Sequence, residues 1–132
     1  DASLYAVFAF GVFPPEDEKV KSTMAQIEKI LRSGGGISRY QGDTFYRQTA
    51  QSNPWFVTTL WLAQYKIACG HLDEALAILN WVADHALASG VLAEQIHPET
   101  GEPLSVSPLT WSHGTYITTV QQYINAIRPK NF

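Results

Sequence analysis

Apolar positions recur along this chain with a helical period. In residues 16–33, "EDEKVKSTMAQIEKILRS", Val20, Met24, Ile27 and Leu31 stand four, three and four apart, which lines one helical face. Pro14 and Pro15 stand at the start, acids fill the first turn, and Gly34-Gly35-Gly36 follows the end. Residues 54–69, "PWFVTTLWLAQYKIAC", are apolar nearly all round, as expected of a helix covered on more than one side. Asn53 is its expected N-cap and Pro54 its first helical position. After a break at Gly70-His71, residues 72–89, "LDEALAILNWVADHALAS", predict an amphipathic helix ended by Gly90. A fourth helix is predicted over 112–127, "SHGTYITTVQQYINAI", although Thr and Val lower its propensity; Pro129 would stop it. The pattern predicts an all-α chain of about four main helices.

The second and third helices are joined by a tight turn. The other two connections, 34–53 and 90–111, take about twenty residues each, a length that is uncommon without a function. If consecutive helices pack antiparallel, both long loops fall at one end. That places Arg39, Tyr40, Asp43, Tyr46, Trp55, Glu94 and Trp111 on or beside one face. Trp61 and Trp81 lie mid-helix and are expected in the core.

Composition narrows the function classes. The chain is 45% hydrophobic and 16% charged, with a formal net charge of −3. This is globular composition, with no basic stripe for nucleic acid and no segment approaching a membrane span. A single cysteine, Cys69, cannot form an internal disulfide and is read as a small buried thiol. The chain opens Asp1-Ala2-Ser3 without Met or a signal peptide, as an excised piece would. His71, His85, His97 and His113 show no metal-ligand spacing, so neither a metal nor a cofactor is expected. Ser112-His113 is a neighbouring pair without a nucleophile elbow.

The first long loop, "GGGISRYQGDTFYRQTAQSN", lacks the spacing of a phosphate-binding loop. Its Arg, Asp and aromatics suit a neutral polyhydroxylated ligand: planar rings cover a sugar's apolar faces, and Arg and Asp bind its hydroxyls in opposite senses. The bland reading is a loop pinned by its aromatics, with Arg39–Asp43 as a surface ion pair. Trp55 and Trp111 are candidates for a binding rim. In the second loop, Glu94 sits inside the apolar run Val91-Leu92-Ala93 and Ile96. It reads either as a solvated charge or as a carboxylate for glycosidic chemistry, which uses carboxyl groups in pairs. Full desolvation would raise such a carboxyl toward a useful pKa.

The stretches "DASLYAVFAFGVFPPEDEKV", "GGGISRYQGDTFY", "NPWFVTTLWLAQ" and "GVLAEQIHPETGEPLSVSPLTWSHG" come in an order that resembles glycoside hydrolase family 15, the glucoamylase family, in its bacterial and archaeal form. The resemblance covers nearly the whole chain. It implies that residues 1–132 are a single segment, the C-terminal third of an (α/α)₆ barrel catalytic domain. It also implies an inverting, exo-acting α-glucosidase that releases glucose from α-glucans or glucosyl oligosaccharides. The family's general base, the Glu of an E-Q pair, falls on Glu94. Arg39 of "RY" falls on an arginine that binds glucose, and Asp43, Trp55 and Gln95 fall on residues of the same pocket. The family's general acid lies upstream, so the N-terminal remainder of the protein is an implied partner. Asp43, Glu99 and Glu102 are the other loop carboxylates, and nothing marks one as a substitute. Two rivals remain at this level. One is a helical interaction module built on the hairpin 55–88, which carries one tetratricopeptide-like helix pair but no second copy. The other is an inactive member of the same fold, as in the regulatory subunits of phosphorylase kinase.

Overall fold

The computed structural model describes residues 1–128; Pro129, the expected helix stop, lies outside them. The chain is mostly helical. A 3₁₀ turn, Ala2–Tyr5, leads into a short helix α1, Ala6–Ala9. Four longer helices follow: α2, Glu18–Leu31; α3, Phe56–Ala68; α4, Leu72–Asp84; and α5, Thr110–Ile127. The short opening helix was not anticipated, because its apolar run has no clean period.

Helix α2 starts at an Asp17 cap, whose carboxylate accepts the Lys19 N–H at 2.8 Å. Val20, Met24, Ile27 and Leu31 are all buried, as their spacing predicts. They pack with Leu62 and Tyr65 of α3 in one apolar cluster. A second cluster joins Phe56 and Leu60 of α3 to Leu79 and Val82 of α4, with Tyr116, Val120 and Tyr123 of α5 against it. Helix α3 thus feeds both clusters, which is why its sequence is apolar nearly all round.

Two expected boundaries are corrected. Asn53 does not cap α3, and Pro54 is not its first helical residue. Residues 53–55 stay extended because Trp55 pairs with both Ile37 and Gln95, and the cap position is Trp55 itself. Helix α4 stops at Asp84 rather than Ser89. The Leu87 N–H turns to the Val91 carbonyl at 2.9 Å instead of continuing the helix, and Gly90, at φ 80°, closes that turn.

The long connections contain short strands. Strands β1, Arg32–Ser33, and β2, Gly36–Ile37, form a hairpin turned by Gly34 and Gly35, at φ 51° and 83°. Both positive angles fit the two-residue turn that favours glycine. Strands β3, Gln95–Ile96, and β4, Pro103–Leu104, form another. Trp55 stitches the hairpins together, antiparallel to Ile37 on one side and Gln95 on the other. A narrow ladder therefore crosses the end of the helices that carries both long connections, the arrangement the loop lengths implied.

Candidate active site

Arg39, Trp55 and Glu94 all emerge from this ladder. Its local bolts are threonines at the start of α3. The Ile37 N–H donates to Thr59 Oγ1 at 2.9 Å, and the Ile37 carbonyl accepts from Thr58 Oγ1 and, at 2.9 Å, from the Trp55 N–H. Such buried backbone groups need partners, and here the partners fix where Arg39 leaves the strand. The three residues line one cavity of about 400 Å³, with Asp1, Ser3, Tyr40, Val57, Thr58, Trp61 and Trp111.

Arg39 is held on three sides. Its Nε and Nη2 donate to the two Asp43 carboxylate oxygens at 2.7 and 2.9 Å. Its guanidinium carbon lies 4.2 Å from the centre of the Trp55 ring, with Phe45 and Tyr40 at 5.1 and 5.2 Å. The Asp43 hydrogen bond holds the guanidinium above its ordinary pKa against the opposing effect of burial, with a further contribution from the Glu94 charge. Burial alone would push the Asp43 carboxyl up. The Arg39 hydrogen bond and the Phe45 N–H outweigh it and hold that carboxyl below the usual carboxylate range.

Asp43 is therefore not a group of the cavity wall. Its side chain is 2% exposed, and both oxygens are taken by Arg39, one also accepting the Phe45 N–H at 3.0 Å. The pair is not a solvated surface ion pair either; it is a bracket for the arginine. Gln95 also stands behind the cavity. It is fully buried, donates from Nε2 to Glu94 Oε2 at 3.3 Å, and accepts at Oε1 from Asn53 Nδ2 at 2.8 Å. Asn53 spends its amide there and on the Tyr46 carbonyl, at 3.0 Å, rather than on a helix cap.

Glu94 is half-buried. Leu92, Ala93 and Ile96 around it enter the second apolar cluster, while Glu94 reaches the cavity. The apolar run is thus the anchor of the carboxylate rather than its wrapping. Glu94 is fixed through its backbone: its N–H donates to the Val106 carbonyl at 2.9 Å, and its carbonyl accepts the Phe56 N–H at 3.3 Å. Ser105, next to Val106, takes φ 64°, a left-handed conformation that is uncommon for serine.

The tryptophans divide differently from expectation. Trp55 is 4% exposed and forms the cavity floor under Arg39 rather than its rim. Trp111 is 55% exposed and forms the rim. Trp61, expected in the core, does pack against the first apolar cluster but also lines the cavity, stacked on Tyr5 at 4.4 Å and edge-on to Trp111 at 5.9 Å. Its place follows from α3 starting beside the cavity floor, so that its second turn still faces the opening. Trp81 packs on Phe56 and against Gly35 and Gly36, in keeping with a core role. Glu99 and Glu102 are exposed and stand outside the cavity lining. Asp1, which composition did not single out, does line it, but its Oδ1 accepts the Ser3 N–H at 2.8 Å as a helix cap. Among the described residues no cluster of three His, Cys, Asp or Glu side chains could hold a metal, and no helix is long and apolar enough to cross a membrane.

An arginine, a carboxylate and a set of indole and phenol rings around one cavity form an apt surface for a sugar ring. Comparison with known proteins points the same way. The family model described as glycosyl hydrolases family 15 matches residues 72–121. The isomaltose glucohydrolase of Kribbella flavida is 35% identical over 129 residues, covering 89% of this chain and 32% of that protein. An uncharacterised glycosyl hydrolase of Methanocaldococcus jannaschii is 32% identical over 136 residues, covering 92% of this chain and 21% of that protein. A trehalase of Mycobacterium tuberculosis is 26% identical over 127 residues, covering 96% of this chain and 19% of that protein. A solved glycosidase, 32% identical, superposes with a TM-score of 0.81 over 97% of this chain and 36% of its own. A bacterial glucoamylase solved with acarbose, 24% identical, shares the fold with a TM-score of 0.85 over 96% of this chain and 20% of its own. The fold is accordingly part of an (α/α)₆ barrel, and the chain spans about a fifth to a third of the length of the curated relatives it matches. On the family model, the shared sequence across nearly the whole chain and the superposed helices, this chain belongs to glycosyl hydrolases family 15.

Proposed function

We propose that the protein containing this chain is an inverting, exo-acting α-glucosidase in which Glu94 is the general base. The observation that carries this is the placing of the Glu94 carboxylate on the same cavity as Arg39, Trp55, Trp61 and Trp111. In this reading the Arg39 guanidinium donates hydrogen bonds to hydroxyls of the terminal glucose. The indole rings cover its apolar faces. Asp43 and Gln95 act at one remove, as supports for Arg39 and Glu94.

Glu94 removes a proton from a water on one face of the ring while that water attacks the anomeric carbon. The bond to the leaving oxygen breaks on the opposite face, and a general acid protonates that oxygen. An inverting pair stands roughly 6.5–9.5 Å apart to admit the water. Within this chain Asp43 is committed to Arg39, Glu99 and Glu102 lie away from the cavity, and Asp1, which does line it, caps the opening 3₁₀ turn through Oδ1. The family resemblance implies an upstream acid, and we assign the acid to the part of the protein beyond this chain. Two of the relatives named above are an isomaltose glucohydrolase and a trehalase, and a small glucosyl saccharide likewise suits a cavity of about 400 Å³.

The test uses the full-length protein, with glucose release measured from maltose, isomaltose, trehalose and soluble starch. Glu94→Gln keeps the shape and removes the base. It is expected to lower kcat by at least about 10²-fold on the preferred substrate, as loss of a proton-transfer group does. Glucose or acarbose should still quench tryptophan fluorescence, because Trp55, Trp61 and Trp111 remain. Near-parental turnover of Glu94→Gln would remove Glu94 from the role, and no fluorescence change with either sugar would favour a protein-binding groove or an inactive fold.

A further inference from the structure

The first turn of α5 holds the backbone that carries Glu94. The Ser112 hydroxyl, fully buried, donates to the Ala93 carbonyl at 2.7 Å. The Leu92 N–H donates to His113 Nε2 at 2.9 Å, and the Leu92 carbonyl accepts the Leu109 N–H at 3.0 Å. With the Glu94 bonds to Val106 and Phe56, nearly every backbone polar group from Leu92 to Glu94 is tied down. An imidazole nitrogen that accepts an N–H carries no proton of its own, so His113 takes part as the neutral ring with its proton on Nδ1.

We propose that Ser112 and His113 are positioning residues for Glu94. This rests on Glu94 as the base. Neither side chain lines the cavity. They act by fixing where the Glu94 carboxylate stands relative to the anomeric carbon, so their loss falls on kcat and leaves ground-state sugar binding to Arg39 and the tryptophans. The requirement on His113 is a hydrogen-bond acceptor at the Nε2 position. Gln can supply one there; Phe keeps the ring's bulk and cannot.

The experiment compares His113→Gln, His113→Phe and Ser112→Ala in the full-length protein, with Glu94→Gln as the reference. His113→Phe is expected to lower kcat about tenfold, a modest share of the effect of a 1 Å displacement of a catalytic group. The affinity for glucose, read by tryptophan fluorescence, should stay within about twofold, and His113→Gln should recover kcat to within about threefold of the parent. Equal kcat for the Gln and Phe variants, or a loss confined to KM and glucose affinity, would overturn the proposal. If His113→Phe does not fold, Ser112→Ala decides: a severalfold drop in kcat with unchanged glucose affinity supports it, and an unchanged kcat overturns it. The reference variant separates the two failures. An active Glu94→Gln protein means the base is misassigned, whereas an inactive one beside a fully active His113→Phe protein removes only the positioning role.

Discussion

Asp43 gives both carboxylate oxygens to Arg39 and one of them to the Phe45 amide, while its side chain is 2% exposed. Replacing it with Asn leaves a partly buried guanidinium without its counter-charge. We expect Asp43→Asn to destabilise the protein by about 2 kcal/mol at neutral pH, less than loss of a fully buried pair because Arg39 is one-third exposed. It should also raise KM, since Arg39 loses its fixed orientation. The pH dependence has a definite sign. The folded pKa of Asp43 is depressed, so its contribution is fully present above the unfolded value, about 3.9, and is lost as pH falls through the folded value. Thermal midpoints of parent and variant, measured from neutral pH down into the acid, should converge below about pH 4. A constant gap across that range would contradict the ion-pair account. The loop lengths placed Arg39, Asp43, Trp55 and Glu94 at one end of the helices, the family resemblance added Gln95, and the five do lie together. Neither distinguished the residues that face the cavity from those that support them. That distinction depends on which way a loop side chain turns, and no period governs it.

Periodicity located the long helices because each buries a repeating face. It missed β1 to β4 because a two-residue strand has no repeat to detect. Those strands nevertheless set the site. Gly36 in β2 is a sensitive point: a Cβ there would lie 2.7 Å from Thr59 Oγ1, 2.7 Å from the Trp81 ring and 2.9 Å from Pro54 Cβ. The glycine triplet that a phosphate loop would use is thus explained by a tight turn and a close approach of strand to helix. Gly36→Ala must push β2 off α3 and disturb the Thr59 bond to Ile37. The expected cost is about 1–3 kcal/mol, the usual range for overpacking. Because Ile37 leads directly to Arg39, sugar affinity should fall along with the thermal midpoint. Gly42→Ala is the control, since no atom lies within 4 Å of its Cβ, although its φ of 78° adds some strain. A Gly36→Ala protein with parental midpoint and parental sugar affinity would show that the ladder tolerates displacement from the helix.

At the scale of the molecule, α5 has apolar residues on more sides than this chain covers. Tyr116, Val120 and Tyr123 meet the second cluster, yet Ile117, Ile124 and Ile127 remain 56%, 39% and 52% exposed. The helical period marked α5 but could not say which side would be covered, because its weak amphipathicity gives no single apolar stripe. Phe10 and Val12, beyond α1, are exposed as well. Exposed apolar surface of this extent is normally covered by a partner. A portion of a closed helical barrel presents such surface wherever its neighbouring helices would pack, and this chain matches about a third or less of its relatives' length. The isolated chain is therefore expected to self-associate. Sedimentation or light scattering should show species heavier than one chain, together with binding of an apolar dye. Replacing Ile117 and Ile124 by Lys should shift the chain toward monomer while leaving its helical circular dichroism intact, since neither side chain belongs to the two buried clusters. A parental chain that remains a monodisperse monomer and binds no dye would mean that α5 needs no cover, and the packing of further helices against it would have to be abandoned.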